Sequence, residues 1–273
     1  MPIKLTLLLI IIFTVTTILV TWPGNLTSPN YKADTIIPTG TQIPATTPTI
    51  PKKETYYSLI LGDSMEDALG PNANPLREKL IEYYPENEFV NYNYGFGSTN
   101  ILSLKDRLNA LTNYRGESYP PALTLDFDLV LFGSFAYNPL SEFPLEEGLK
   151  KQNEALDENI KKIREARPRA VIVFLTPIAP SKEKYGEGVV EMTRAERRQN
   201  AEERIAYIKN HIEYANKNSY PVIDIYEKSL KGNGEVDLKY INPDDYIHPS
   251  AEGLDMMART IADFIYENEI YPR

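Results

Sequence analysis

Short apolar runs alternate with amphipathic helical stretches from residue 56 to the end of this 273-residue chain. That alternation predicts an α/β fold, a three-layer α/β/α sandwich around a five-stranded parallel sheet. Two further observations agree with it. Several runs are continuously apolar, as strands covered on both faces require. Strands separated by helices also join through right-handed crossovers, which leaves neighbouring strands parallel.

In chain order the candidate strands are Tyr56–Leu61, Phe89–Tyr94, Asp128–Phe132, Ala170–Leu175 and Val222–Ile225. Candidate helices lie near 75–84, 100–112, 145–166, 193–217 and 250–267. There is no internal repeat. The domain so defined runs from 54 to 273, long enough to enclose a sizeable core.

The first fifth of the chain has another character. Leu5 to Trp22 reads LTLLLIIIFTVTTILVTW, eighteen residues without a charge. A helix crossing the hydrocarbon core needs about 20 apolar residues, so this run predicts a transmembrane signal anchor at 5–22. Residues 1–4 are then a short cytoplasmic tail, and the domain lies outside the membrane. The alternative is a secreted protein whose leader is removed, although Val20, Thr21, Trp22 and Pro23 fit a small-x-small cleavage motif poorly. Residues 23–53 are rich in Pro and Thr. Proline removes backbone donors and fixes φ, so they read as a disordered stalk.

The formal net charge is -9, which repels phosphate backbones and argues against a nucleic-acid partner. The absence of cysteine excludes disulfides, thiolate metal sites and a cysteine nucleophile.

Open parallel sheets bind ligands outside the carboxyl ends of their strands, so the residues following each strand are the informative ones. The first strand runs into Gly62-Asp63-Ser64-Met65. A small residue before Ser64 permits a tight strand-to-helix turn that presents the hydroxyl. The same tripeptide caps ordinary helices, and a hydroxyl is a poor nucleophile until a base takes its proton. Only His211 and His248 are available as histidine bases. His211 lies in the amphipathic stretch ERIAYIKNHIEYANK and reads as a solvated helix residue. His248 follows Asp245 by three residues, a spacing that lets the carboxylate accept the Nδ1 proton while Nε2 faces a serine. Donors for a developing oxyanion are offered by Gly95-Phe96-Gly97 after the second strand and by Asn138 after the third. Each feature alone has a bland reading as a turn or a cap; together they supply the parts of acyl transfer.

The order of Ser64 in GDSM, Gly97 in GFGSTN, Asn138 in FGSFAYN, and Asp245 with His248 in DYIH resembles the SGNH, or GDSL-type, hydrolase family over residues 56–267. The resemblance implies a flavodoxin-like sheet, a Ser64–His248–Asp245 triad, and an oxyanion hole from the Ser64 and Gly97 N–H groups and the Asn138 side chain. Two departures stand out. Four residues separate Gly133 from Asn138, where the family reads Gly-x-Asn-Asp, and Pro139 stands in place of the aspartate. The second block is also tighter than usual, so Gly95 is an alternative to Gly97. The expected activity is extracytoplasmic ester hydrolysis of short acyl groups, such as O-acetyl on envelope carbohydrate, with no metal or organic cofactor. An O-acyltransferase using the same residues and a non-catalytic surface binding module are the alternatives. The polar segment Pro180–Thr193 follows the fourth strand; it either borders the pocket or is a surface loop.

Overall fold

A computed structural model describes residues 49–273. The predicted anchor at 5–22 and stalk residues 23–48 lie outside the described residues. Among the described residues, no helix is long and apolar enough to cross a membrane. Residues 49–53, assigned by sequence to the end of the stalk, lie against the domain. Ile50 is buried in the core, the Lys52 Nζ donates to the Arg273 carbonyl at 3.1 Å, and Lys53 pairs with Asp128.

The chain forms β1 (Thr55–Gly62), α1 (Ser64–Asp67), α2 (Asn74–Tyr83) and β2 (Glu88–Gly95). After a 3-10 turn at Ile101–Ser103 come α3 (Leu104–Asn109), β3 (Thr112–Tyr114), β4 (Glu117–Tyr119) and β5 (Leu129–Gly133). The remainder is α4 (Leu145–Ala166), β6 (Val171–Leu175), α5 (Arg194–Lys217), β7 (Val222–Ile223), α6 (Ile225–Lys228) and α7 (Ala251–Glu267). The main sheet has the order β2-β1-β5-β6-β7, with every pairing parallel. This is the α/β sandwich with a five-stranded parallel sheet that the alternation predicts.

Side-chain alternation explains why the central strands are almost wholly apolar, with Ser58 of β1 the buried exception that donates to the Asn91 side chain at 2.6 Å. Tyr56 and Ile60 of β1 point into a core with Leu76, Met257, Ile261 and Ile265, from α2 and α7. Leu59 and Leu61 point into a second core with Leu104, Leu156, Ile160 and Ala215, from α3, α4 and α5. The strands β5 and β6 divide in the same way: Leu131 and Val173 face the first core, Phe132 and Phe174 the second. Fully burying one such side chain stabilises by about 1.5–3 kcal/mol. A polar residue without a hydrogen-bond partner on either face would therefore be costly.

Two elements differ from the sequence expectation. The strand expected over Val222–Ile225 stops at Ile223 because the Asp224 side chain accepts the Glu227 N–H and caps α6. The helix expected over 100–112 ends at Asn109, and residues 112–119 fold back as the β3–β4 hairpin. Arg115 and Gly116 at its tip have φ of 51° and 83°, the left-handed pair that a tight two-residue hairpin requires. Tyr114 and Tyr119 hold the hairpin on Phe96, one stacked at 4.5 Å and one edge-on at 4.8 Å.

The strand order matters for function. From β1 the chain goes first to β2 on one side and later to β5 on the other, so the order reverses around β1. Open α/β sheets have their crevice at such a reversal, outside the carboxyl ends of the strands. Gly62 pairs with Gly95, and Leu61 with Phe132, so β1, β2 and β5 end level with one another.

Candidate active site

Ser64 is the first residue of α1, directly after the end of β1. Asp63 caps that short helix: its Oδ1 accepts the Met65 N–H at 3.0 Å, while Glu66 reaches back to the Asp63 N–H at 3.0 Å. This reciprocal cap satisfies two free donors and fixes the turn that presents Ser64. The Ser64 N–H has no acceptor among the described residues. Gly97 sits beside the serine. A Cβ built on Gly97 would lie 3.5 Å from the Ser64 Cβ and 3.0 Å from the Tyr114 hydroxyl. The Gly97 N–H donates to that hydroxyl at 2.9 Å. Gly95 is placed otherwise. Its N–H donates to the Asn93 side chain at 2.9 Å, and its Cα packs so closely on α1 that a Cβ would meet the Asp67 nitrogen at 2.5 Å.

Asp245 and His248 meet directly. The His248 Nδ1 lies 2.7 Å from Asp245 Oδ2, and Asp245 Oδ1 accepts the N–H groups of Ile247 and His248 at 2.8 and 3.0 Å. A carboxylate can only accept, so Nδ1 carries the proton and Nε2 presents its lone pair. Burial pushes the Asp245 carboxyl up, but the bonds from the His248 ring and the two backbone N–H groups outweigh it and hold it below the usual range. Asn242 closes the loop, accepting at its carbonyl the Tyr246 N–H and donating its own N–H to the His248 carbonyl, both at 2.8 Å. Among the described residues neither the Ser64 Oγ nor the His248 Nε2 has a hydrogen-bond partner, so these two groups are not joined in the resting structure.

Tyr137 fastens the loops of this edge together. Its N–H donates to Asp63 Oδ2 at 3.0 Å, and its hydroxyl donates to the Ile178 carbonyl at 2.9 Å beyond β6. Burial drives the Tyr137 hydroxyl pKa far up. Asn138 follows Tyr137, half-buried, and its N–H donates to the Phe135 carbonyl at 3.2 Å. The 180–193 segment borders the same edge. Tyr185 is buried beside Tyr137, Lys184 lies 5.4 Å over the Tyr246 ring, and Gly188 approaches the Asp244 carbonyl. Ser98, Phe135 and Tyr246 adopt φ of 60°, 56° and 51°. Left-handed backbone at non-glycine residues costs on the order of 1–3 kcal/mol each and concentrates where a site over-determines its loops. Among the described residues, three of the seven such residues stand within three positions of Gly97, Asn138 or His248.

Below Ser64 lies a buried polar cluster that the sequence reading does not contain. The Glu66 side chain crosses under the turn against Gly62 and Gly133, where Cβ atoms would come within 2.0 and 2.7 Å of its carboxyl oxygens. Burial, then the adjacent Asp63 carboxyl, pushes Glu66 well above the ordinary carboxylate range. Arg107 is buried between Phe96 and Phe135 and donates to the carbonyls of Gly62 and Tyr94 at 2.7 and 2.8 Å, tying the ends of β1 and β2. It also bonds Thr99 and Ser103, holding the loop that carries Gly97. Burial pulls this guanidinium down to about 10, against the pull of Asp63, Tyr114 and Glu66. The Asp63-x-x-Glu66 spacing was the available signal for Glu66, since it is the pattern of a reciprocal helix cap.

His211 corrects the sequence expectation of a solvated residue. It is completely buried on α5, with Nε2 3.0 Å from the Phe132 carbonyl and its ring 4.5 Å from Phe174. Burial pulls its pKa down to about 3, so it is neutral and structural.

Several solved structures share this architecture. A lipase/acylhydrolase from Enterococcus faecalis aligns with a TM-score of 0.53 at 18% identity, covering 78% of this chain and 96% of its own. A putative GDSL-like lipase from Parabacteroides merdae aligns at 0.56 and 16% identity, covering 82% and 100%. The lipase Lip_vut3 from a goat rumen metagenome aligns at 0.54 and 15%, covering 79% and 99%. The chain has the GDSL-type acylhydrolase fold. No family model matches it, and no curated protein matches it. Within the GDSL-type fold, the edge at which β1, β2 and β5 end is the one that carries Ser64, Gly97 and Asn138 here.

Proposed function

We propose that this chain is a serine ester hydrolase in which Ser64 is the nucleophile, His248 the general base and Asp245 the residue that orients it. The observation that carries the reading is the 2.7 Å bond between Asp245 and His248 Nδ1 in the loop that enters α7, with Ser64 at the head of α1. With Nδ1 occupied, Nε2 is the only ring atom able to take a proton.

In the proposed reaction, Ser64 Oγ attacks the ester carbonyl as His248 Nε2 takes its proton. The imidazolium then protonates the leaving alkoxide, giving an acyl-enzyme and a free alcohol. A water deprotonated by the same nitrogen attacks the acyl-enzyme, and the imidazolium returns that proton to the departing Ser64 oxygen as the acid is released. Among the described residues the Ser64 N–H has no acceptor, which leaves it available to the oxyanion, with the Gly97 N–H beside it and the Asn138 amide as the third donor. Residues 5–22 lead the proposal to a membrane-tethered, extracytoplasmic enzyme. The polar 180–193 border favours short acyl groups on a hydrophilic alcohol such as a carbohydrate.

The test is Ser64→Ala. Hydrolysis of p-nitrophenyl acetate should fall to background, and labelling by a fluorophosphonate probe should disappear. A Ser64→Ala protein that hydrolysed the ester as fast as the wild type would exclude this mechanism.

A further inference from the structure

The Gly97 N–H lies beside the nucleophile, and in the resting structure it is occupied. Its acceptor is the Tyr114 hydroxyl at 2.9 Å, which in turn donates to Asp67 Oδ2 at 2.8 Å. Asp67 is also held at 3.1 Å by the exposed Arg115 at the tip of the hairpin. The space is shared by all of these groups: a Cβ on Gly97 would lie 3.0 Å from the Tyr114 hydroxyl, 3.5 Å from the Ser64 Cβ and 3.7 Å from Asp67 Oδ2. In the ester-hydrolase reading, a hydroxyl oxygen accepting this N–H stands in the way of the carbonyl oxygen of a substrate bonded to Ser64.

Resting on the ester-hydrolase reading, we propose that Tyr114 is an internal competitor for the oxyanion hole. Its hydroxyl fills the seat at the Gly97 N–H, and substrate gains that donor only by displacing it. Three features suit the residue to this role. Tyr114 belongs to the two-stranded hairpin, which is separate from the main sheet, so it can shift without breaking a strand pairing of the core. Its ring is stacked on Phe96 at 4.5 Å, so the hydroxyl is aimed by packing. Its partner Asp67 is on α1, three residues after Ser64, so the bond spans the turn that carries the nucleophile. Tyr114 is a positioning residue in this account: displacement weakens ground-state binding, and the transition state still receives the Gly97 N–H.

The signature is a separation of KM from kcat. Tyr114→Phe keeps the ring on Phe96 and removes both hydrogen bonds. A typical net hydrogen bond corresponds to about a five- to tenfold equilibrium effect. In the full-length protein Tyr114→Phe should therefore lower KM for p-nitrophenyl acetate about five- to tenfold with little change in kcat. It should raise the second-order rate of fluorophosphonate labelling of Ser64 by a similar factor, and speed hydrogen exchange at the Gly97 amide. Arg115→Ala, which removes the ion pair with Asp67 and the guanidinium lying 5.2 Å over the Tyr114 ring, should move the same quantities in the same direction by less. A fall in kcat in Tyr114→Phe would overturn the proposal, because Tyr114 would then be a transition-state donor. Equal labelling of Ser64 in wild type and Tyr114→Phe would overturn the role of Tyr114 alone. No labelling of Ser64 in either protein would overturn the ester-hydrolase reading and the competitor role with it.

Discussion

Asp245 grips His248 twice, through the ring by one carboxylate oxygen at 2.7 Å and through the backbone N–H by the other at 3.0 Å. The two bonds fix both the tautomer and the position of the loop, and they make the carboxylate hard to replace even by its amide. Asparagine would keep much of the shape but would present an N–H or a neutral oxygen to Nδ1. In the first case the imidazole proton moves to Nε2, the atom that must accept one. Asp245→Asn should lower kcat for a short-chain ester by roughly 10³–10⁴-fold, with KM little changed. Steady-state kinetics on p-nitrophenyl acetate checks this, and an Asp245→Asn enzyme within tenfold of wild type would exclude the assigned role.

The Glu66 carboxyl occupies the space that a side chain at position 62 would need. Gly62→Ala brings a methyl within 2.0 Å of Glu66 Oε2, a flexible group with nowhere buried to go. Overpacking of this kind costs about 1–3 kcal/mol. In a Glu66→Ala background the obstacle is gone, so the same substitution should cost little. Urea unfolding of the two single variants and the double variant gives the coupling directly. Additive losses would show that Gly62 is required for some reason other than Glu66.

The stability of the fold should fall with acid partly through His211. Its folded pKa of about 3 lies below the ordinary 6.5 because burial disfavours the charged ring. Between these values the unfolded chain binds a proton that the folded one does not. Stability is therefore lost as pH falls from 6.5 toward 3, at about 1.4 kcal/mol per pH unit for this one group. His211→Gln retains a side-chain N–H for the Phe132 carbonyl and cannot titrate. Its unfolding free energy should decline less steeply than that of the wild type over that window. Parallel slopes in chemical denaturation at pH 4, 5 and 6 would contradict a buried, neutral His211.

Features whose causes are local were legible in the sequence. The strands β1, β5 and β6 announce themselves as continuous apolar runs because helices cover both faces of the sheet. The strand-end position of Ser64 follows from Gly62-Asp63-Ser64 at the close of the first run. The pairing of Asp245 with His248 follows from a three-residue separation within one loop. The short β7 and the β3–β4 hairpin were less legible. A capping aspartate immediately after the first, and the packing of two tyrosines on Phe96 in the second, set their limits.

What the sequence determined by itself is the layered α/β architecture and the order of the candidate site residues along it, since periodicity and spacing are properties of neighbours in the chain. Only the tertiary structure decided which polar groups are buried and which donors are occupied. Arg107 meets the Gly62 carbonyl across 45 residues, Tyr114 meets Asp67 across 47, and His211 meets the Phe132 carbonyl across 79. None of these partners is marked by composition or period. A buried hydrogen bond depends on where two distant segments come to lie, and that is settled by the packing of the two cores on either side of the sheet.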